Sequence, residues 1–590
     1  MEKLASKLHR LFNENPLSPE SGKLTYGTSG YRCRADLLVG VAARIGAYAC
    51  LHSIHHDGKA VGVMITASHN PPQDNGLKLI DTDGGMFPPD LERSIIEFVQ
   101  LRDDQLESFL LAYFPNSSYN ASTVPQVYIG WDSRISSVSL SQEVARGATA
   151  LGGKYIDFGL VTSPQLHFMV CAQSQNHVPN SIDDYVDVFL KRFVRAISSL
   201  KGGEIQLNVD CAHGVGSLVL TSLSTRLYLA SKEATYPPDS PRLCLRTFNT
   251  MTNEKDMLNK DCGADFIKLF SKLPKLTPSP AEKDLFAPST RWATVDGDAD
   301  RLLYFFCPEN SSSVNLLDGD HIAALFTTFI ADQLVQHQRL QSCESERTGT
   351  SRLRLGVVQT AYANAASTRF LKKYLEDVLN DPNPDESVVC TLTGVKHLHK
   401  AAKDFDFGVY FEANGHGTVV ISERAQRYVA SLPDNDPLSL FVSLVNTAVG
   451  DAVTDMLLVE YVLAEREHSL QQWFDYYHDL PSRQLKVLIK DRHVIVNTDA
   501  DRKVTNPPGL QEAIDSLVNK VDTASTKADH PAGLSRAFVR PSGTEDMVRV
   551  YAEAATTPLV DWLAASVARL VYEKAGGFGV EPTNPGPIPY

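Results

Sequence analysis

Val61-Gly62-Val63-Met64-Ile65-Thr66-Ala67-Ser68-His69-Asn70-Pro71-Pro72 is an apolar run that stops abruptly at a short polar loop. An apolar, β-branched run without alternation reads as a buried strand of an α/β layer. The paired prolines bar immediate continuation as helix or strand, so the Ser68 hydroxyl stands on a tight loop at a strand end. The same pattern recurs at Gln126-Val127-Tyr128-Ile129-Gly130, Ile205-Gln206-Leu207-Asn208-Val209 and Arg354-Leu355-Gly356-Val357-Val358, each followed by a polar or Gly-containing turn. Helical patterns such as Leu91 to Leu101 and Asp320 to Leu334 lie between them. The alternation predicts an α/β fold whose ligands bind at strand ends.

The 590 residues amount to about four domains at roughly 150 residues each. Ser198 to Gly203 and Pro308 to Ser313 read as hinges, and a last unit begins near Asp479-Leu480-Pro481. Gln341 to Arg352 and Asp381 to Ser387 read as polar surface insertions, and the Gly/Pro-rich stretch from Gly576 to Tyr590 as a loose tail. The formal charge of −14 argues against a general phosphate-backbone binder, leaving room for a local basic pocket. Nine cysteines without C-x-x-C or zinc-like spacing read as reduced thiols. The N-terminal residues lack a secretory core, and no run of 18 or more apolar residues occurs, so the chain is expected to be soluble and cytoplasmic, with no membrane or nucleic-acid partner. Asn116-Ser117-Ser118 and Asn120-Ala121-Ser122 are then plain polar loops despite matching the glycosylation pattern.

Four loops carry chemistry. Ser68 needs a base or an electrophilic partner before its hydroxyl reacts, and His69, Lys78 and a metal are candidates; a plain Asn/Pro turn has the same composition. Asp296-Gly297-Asp298-Ala299-Asp300-Arg301 lies between strand-like Trp292–Val295 and Leu302–Phe306. Carboxylates alternating with tiny residues can converge on one point, and hard oxygens at that spacing suit magnesium. Without a cation they would repel one another; a solvated acidic turn is the competing reading. Gly408 to Thr418 brings Glu412, Asn414 and His416 onto a Gly-rich loop between two strands, and carboxylates and amides bridge sugar hydroxyls well. Arg540-Pro541-Ser542-Gly543-Thr544-Glu545-Asp546, followed by Arg549, has the makings of a phosphate nest. Gly27-Thr28-Ser29-Gly30-Tyr31-Arg32 repeats that recipe. Gly214-Val215-Gly216 lacks the third glycine of a dinucleotide fingerprint, and no Walker motif occurs. His52, His55 and His56, like His397 and His399, read as solvated helix ends.

Taken together and in this order, the loops resemble those of the α-D-phosphohexomutase superfamily, and within it the phosphoacetylglucosamine mutase family. T-A-S-H-N-P at Thr66–Pro71 is similar to the family's phosphoserine loop and D-G-D-A-D-R at Asp296–Arg301 to its magnesium loop. F-E-A-N-G-H-G at Phe411–Gly417 is similar to the sugar loop of the acetylglucosamine branch, and R-P-S-G-T-E-D at Arg540–Asp546 to the phosphate-binding loop of the last domain. The resemblance runs from about Tyr26 to Glu553. It implies three similar α/β domains and a smaller C-terminal α+β domain around a central cleft, here 1–199, 200–314, 315–470 and 471–590. It also implies interconversion of N-acetylglucosamine 6-phosphate and 1-phosphate, toward UDP-N-acetylglucosamine, with one Mg2+ per subunit and a sugar 1,6-bisphosphate primer. Phosphorylated Ser68 would be the phosphoryl carrier and, with Asp296, Asp298 and Asp300, a magnesium ligand. Arg32 and Arg301 would stabilise the transferring group. Lys78, Lys396 and His416 stay open as general acid and base, while His69 orients the loop. Glu412, Ala413 and Asn414 would contact the sugar, and Arg540, Pro541, Ser542, Gly543, Thr544 and Arg549 the resting phosphate.

Two other enzymes share much of this pattern: a glucose or mannose phosphate mutase, and a magnesium-dependent sugar phosphohydrolase. A catalytically silent sugar-phosphate sensor is a third reading, which an intact Ser68 and aspartate trio argue against. Protein partners are not legible.

Overall fold

A computed structural model describes the chain except residues 1, 28–29, 116–119, 121, 176–180, 234–235, 253, 255, 277–284, 289, 309–312, 343–352, 543–544 and 590. It falls into two compact units. The first comprises Met1–Gly319, Asn414–Thr418 and Arg427–Leu470; the second comprises Asp320–Ala413, Val419–Gln426 and Gln471–Tyr590.

In the first unit, one five-stranded sheet runs Tyr31–Arg34, Asp74–Ile80, Ala60–Ile65, Gln126–Trp131, Lys154–Leu160 in spatial order. Every residue of Ala60–Ile65 is buried, as its unbroken apolar run requires. That strand is parallel to Gln126–Trp131 and antiparallel to Asp74–Ile80. Met64 faces Lys78 across the antiparallel pair and Ile65 faces Leu77, so the returning strand carries Lys78 back to the mouth of the Ser68 loop. By length and apolarity Ala35–His55 is a stretch that could cross a bilayer, but 83% of its apolar 18-residue window is buried within the fold. The helix Val39–His55 within it is a core element. His52 is not at a solvated helix end, as expected, but is buried between Asp81, at 2.9 Å, and the Tyr113 hydroxyl, at 3.1 Å. Aromatic and apolar packing from Phe87 and Tyr48 covers the end of that helix, which the chain order of its histidines does not reveal.

The second sheet of this unit runs Asn315–Leu317, Leu302–Phe306, Arg291–Val295, Glu204–Asp210, Arg242–Phe248. Arg291–Val295 and Leu302–Phe306 form an antiparallel pair with Val295 opposite Leu302, so the aspartate trio occupies the hairpin loop between two buried strands. Trp292, fully buried, stacks on Phe286 and Phe305 beneath that loop. Burying side chains of this size stabilises by about 1.5–3 kcal/mol each and gives the hairpin a rigid base.

A four-stranded sheet runs Val388–Thr391, Leu355–Thr360, Phe407–Phe411, Gly417–Ile421, and the second unit also holds a three-stranded sheet, Ser482–Leu488, Met547–Glu553, Arg536–Pro541. His399, also expected at a solvated helix end, is instead half-buried beside the Tyr410 hydroxyl. Glu553 is fully buried and accepts from Arg536 at 2.7 and 2.8 Å and from the Tyr551 hydroxyl at 2.5 Å. The tail after Gly576 does not lie loose, contrary to the expectation from its composition. Trp562 donates to Gly586 O, Arg569 pairs with Glu581 and Ile588 packs on the last domain's core. Its isoleucine and the accepting carbonyls of Gly579 and Gly586 outweigh the Gly/Pro composition.

Buried histidines make the fold acid-sensitive. Burial lowers the His167 pKa from 6.5 to about 4, although its hydrogen bond to Gly84 O opposes the shift, and burial lowers His399 likewise to about 4. The unfolded chain therefore binds protons that the folded chain refuses between pH 6.5 and 4. Stability is complete above pH 6.5 and falls as pH drops toward 4, by up to about 3 kcal/mol for each histidine. Urea midpoints at pH 7 and pH 5 check this: the lower pH should give the lower midpoint, and equal midpoints would contradict it.

Candidate active site

The Ser68 side chain is buried, and its Oγ donates to Asp298 Oδ2 at 3.1 Å. The same oxygen accepts from Lys78 Nζ at 3.2 Å and from Arg32 Nη2 at 3.3 Å. Lys78 also donates to Asp298 at 3.0 Å and Asp300 at 3.2 Å. Ser68 adopts φ +47°, a left-handed conformation that costs a non-glycine residue about 1–3 kcal/mol and persists only where the surroundings enforce it. Gly297 allows the aspartate loop to come this close: a Cβ there would stand 2.7 Å from Ser68 O. Gly214, from the incomplete dinucleotide pattern, has the same purpose on the other side, since its Cβ would meet Gly297 O at 2.4 Å.

Asp296, Asp298 and Asp300 are all buried, each presenting a carboxylate oxygen within 4.8 Å of the others. Asp296 Oδ2, Asp298 Oδ1 and Asp300 Oδ1 accept no hydrogen bond from any described residue. Three buried carboxylates that converge, each with one oxygen left without a hydrogen bond, fit a magnesium ion, which prefers oxygen ligands and leaves positions for phosphate. Burial and the neighbouring Asp300 and Asp298 push the Asp296 pKa up. Burial works against ionised Asp300 too, but His416, Lys78 and Arg301 hold it well below the carboxylate range. Lys78 is the mirror case. Burial lowers its pKa, Asp298 and Asp300 raise it, and the net is upward, so the ammonium stays charged.

Arg301 donates to Asp265 at 2.6 Å and stands 3.7 Å from Asp296. His69 lies 3.8 Å from Asp265; burial and Arg301 drive its pKa down to about 3, so its imidazole is neutral at physiological pH. His416 Nδ1 is 3.9 Å from Asp300, and Leu302 N donates to Gly415 O at 3.1 Å, docking this end of the Gly-rich loop on the aspartate hairpin. Asn414 accepts from the His416 backbone N–H at 3.1 Å. Ser68, His69, Lys78, Arg32, Arg301, His416, Asn414 and the three aspartates thus all belong to the first unit.

The other expected site residues belong to the second unit. Glu412 accepts from Gly394 N at 3.1 Å, two residues before the buried Lys396, and Ala413 follows it. Asp501 joins this region to the last domain, accepting from Thr393 Oγ1 at 3.2 Å and pairing with Arg540 Nε at 3.2 Å. Arg540 and Arg549 are directly opposed across an antiparallel pair, with Pro541 next in register. Like charges so placed repel, and an anion between them offsets the cost. Ser542 is buried, and its Oγ accepts from Glu545 N at 3.3 Å. Gly543 and Thr544, with Thr28 and Ser29, lie outside the described residues.

Several residues around Ser68 are not among those the sequence singles out. Ser163 Oγ donates to Asp298 at 2.6 Å, Asn259 donates to Ser68 O at 2.9 Å, and Thr66, Asp132, Arg134 and Asp265 frame the two loops. Asp132 and Arg134 do carry a signal, a carboxylate and a guanidinium at the end of the strand Gln126–Trp131. Asn259 and Asp265 carry none.

A serine hydroxyl clasped by a lysine, an arginine and an aspartate trio apt for magnesium is the arrangement of a metal-assisted phosphoryl-transfer centre. Comparison with known proteins agrees. Residues 318–468 match the profile of phosphoacetylglucosamine mutase AMG1, domain III. Residues 47–106 and 100–178 match the phosphoglucomutase/phosphomannomutase alpha/beta/alpha domain I, and 502–570 the C-terminal domain of the same group. The phosphoacetylglucosamine mutase of Sus scrofa is 42% identical over 96% of this chain and 97% of its own, and phosphoacetylglucosamine mutase 1 of Schizosaccharomyces pombe is 37% identical over 93% and 99%. The crystal structure of Aspergillus fumigatus N-acetylphosphoglucosamine mutase with GlcNAc-6P and magnesium superposes with a TM-score of 0.80 at 36% identity, covering 96% of this chain and 99% of that one. A serine-to-alanine form of the fungal enzyme with glucose 1,6-bisphosphate gives 0.83 at 35% identity, covering 97% and 99%. The chain belongs to the phosphoacetylglucosamine mutase family of the α-D-phosphohexomutase superfamily.

Proposed function

We propose that this chain interconverts N-acetylglucosamine 6-phosphate and N-acetylglucosamine 1-phosphate through a phosphoserine at Ser68 and a 1,6-bisphosphate intermediate, supplying UDP-N-acetylglucosamine synthesis. The observation that carries the reading is the contact of Ser68 Oγ with Asp298, Lys78 and Arg32. The phosphoryl group on Ser68 passes to the free sugar hydroxyl, the bisphosphate turns end over end, and Ser68 regains a phosphoryl group from the other position. Asp296, Asp298, Asp300 and the serine phosphate would hold one Mg2+ per chain, which would offset the charge that spreads over the phosphoryl oxygens. Arg32 and Arg301 stabilise the same oxygens. Lys78, charged and within reach of Oγ, returns a proton to the departing serine oxygen, and His416 or Lys396 takes the proton of the sugar hydroxyl. His69, neutral and beside Asp265, orients the loop.

Glu412, Ala413 and Asn414 contact the sugar in both orientations in this reading. Arg540, Pro541, Ser542, Gly543, Thr544 and Arg549 hold the phosphate that is not reacting. The domain division 1–199, 200–314, 315–470 and 471–590 belongs to the same reading; the sheets follow it except that the edge strand Asn315–Leu317 of the second sheet falls in the third range. The chain's soluble, cytoplasmic operation on a small sugar phosphate completes it.

Arg549→Ala removes one of the two opposed guanidiniums, so KM for the sugar phosphate should rise about tenfold or more with kcat less affected. An unchanged KM in steady-state kinetics would count against its phosphate role. Relative turnover tests the substrate: the N-acetylated sugar phosphate should be preferred to glucose 6-phosphate, and the reverse preference would favour a glucose or mannose phosphate mutase.

A further inference from the structure

Ser68 keeps its left-handed backbone because side chains grip it from both ends. Its N–H donates to Thr66 Oγ1 at 2.9 Å, and its carbonyl accepts from Arg134 Nη2 at 3.0 Å and from Asn259 Nδ2 at 2.9 Å. Arg134 is the centre of this frame, with a fully buried side chain. Its Nε donates to Asp132 Oδ2 at 3.0 Å, Nη1 donates to Pro71 O at 2.6 Å and Asp74 O at 3.0 Å, and Nη2 donates to Asn70 O at 2.9 Å as well as to Ser68 O. A guanidinium has five N–H groups, and all are used in this way. Asp132 in turn accepts from Thr66 Oγ1 at 2.7 Å, Ser137 Oγ at 2.8 Å and the Arg134 backbone N–H at 3.1 Å. One buried ion pair thus reaches the loop's carbonyls directly and, through Thr66, the Ser68 N–H.

We propose that Arg134, oriented by Asp132 and linked through Thr66, is a positioning residue for phosphoryl transfer: it sets the Ser68 backbone so that Oγ meets Lys78, Arg32 and the aspartates. No hydrogen bond joins the guanidinium to Oγ among the described residues, so it acts through the loop. A lysine cannot take its place, because one ammonium with three donors cannot span a carboxylate and four separated carbonyls. The geometry needed at Oγ is tight, and displacement by about 1 Å can cost about 100-fold in rate. The inference rests on the reading of Ser68 as phosphoryl carrier.

The test compares Arg134→Lys, Thr66→Val, Thr66→Ser and Ser68→Ala in steady-state kinetics on N-acetylglucosamine 6-phosphate, with circular dichroism for the fold. Thr66→Val keeps the side-chain shape and removes the hydroxyl that links Asp132 to Ser68 N, while Thr66→Ser restores that hydroxyl. Arg134→Lys and Thr66→Val should lower kcat about 100-fold with KM within about twofold, and Thr66→Ser should recover most of the rate. Where Arg134→Lys does not fold, Thr66→Val decides. Unchanged kcat in folded Thr66→Val, or equal losses in Thr66→Val and Thr66→Ser, overturns the positioning role. Turnover that survives in Ser68→Ala instead overturns the phosphoryl-carrier reading beneath it.

Discussion

Ser68→Ala should lower mutase turnover by about 10⁴-fold or more while leaving the fold in place. The hydroxyl is the only group lost, and every other member of the cluster keeps at least one partner: Lys78 retains Asp298 and Asp300, and Arg32 retains Asn70. Alanine adopts the left-handed φ of this position no more easily than serine, so the backbone frame that enforces it is unaffected. In the proposed reaction Ser68 receives the group that comes off one sugar position and returns it to the other, so its loss should stop the cycle. A circular dichroism spectrum like that of the unaltered chain, with 1-phosphate formation at background, is the expected pair of results. Near-normal turnover would remove Ser68 from the reaction.

The second large effect is expected at Asp298. Its Oδ2 accepts from Lys78, Ser68 and Ser163, and its Oδ1 accepts no hydrogen bond from any described residue. Asp298→Asn preserves the volume but removes the charge and presents an NH₂ where an acceptor is required. It should weaken magnesium binding and reduce kcat by about 10³-fold, equivalent to about 4 kcal/mol of lost transition-state stabilisation. Magnesium titration of activity checks both: the half-saturating concentration should rise and the plateau fall. A variant with unaltered plateau and magnesium dependence would exclude the aspartate hairpin as the metal site.

Much of this site is legible in the sequence because its chemistry is local. The Ser68 loop and the aspartate hairpin each bring their functional atoms together within a few residues, bounded by strands whose apolar runs are unmistakable. Lys78 is legible by the same logic, since a short loop between antiparallel strands returns it to the serine. The residues without a sequence signal arrive through tertiary approach. Asn259 and Asp265 reach the loops from a segment with no motif, whereas Arg134 carries the weak signal of a guanidinium at the end of a neighbouring strand. His52 departs from expectation because three nearby histidines suggest solvation, whereas aromatic packing decides its burial. The tail departs because glycine and proline describe backbone preference, and Trp562 and Ile588 supply the anchors that composition does not show.

Phosphorus NMR of the purified protein with N-acetylglucosamine 6-phosphate, magnesium and a trace of sugar 1,6-bisphosphate tests the central claim most directly. A growing 1-phosphate signal, dependent on the bisphosphate primer, with no accumulation of inorganic phosphate, is expected. Inorganic phosphate rising in place of the 1-phosphate would contradict it and identify a hydrolase.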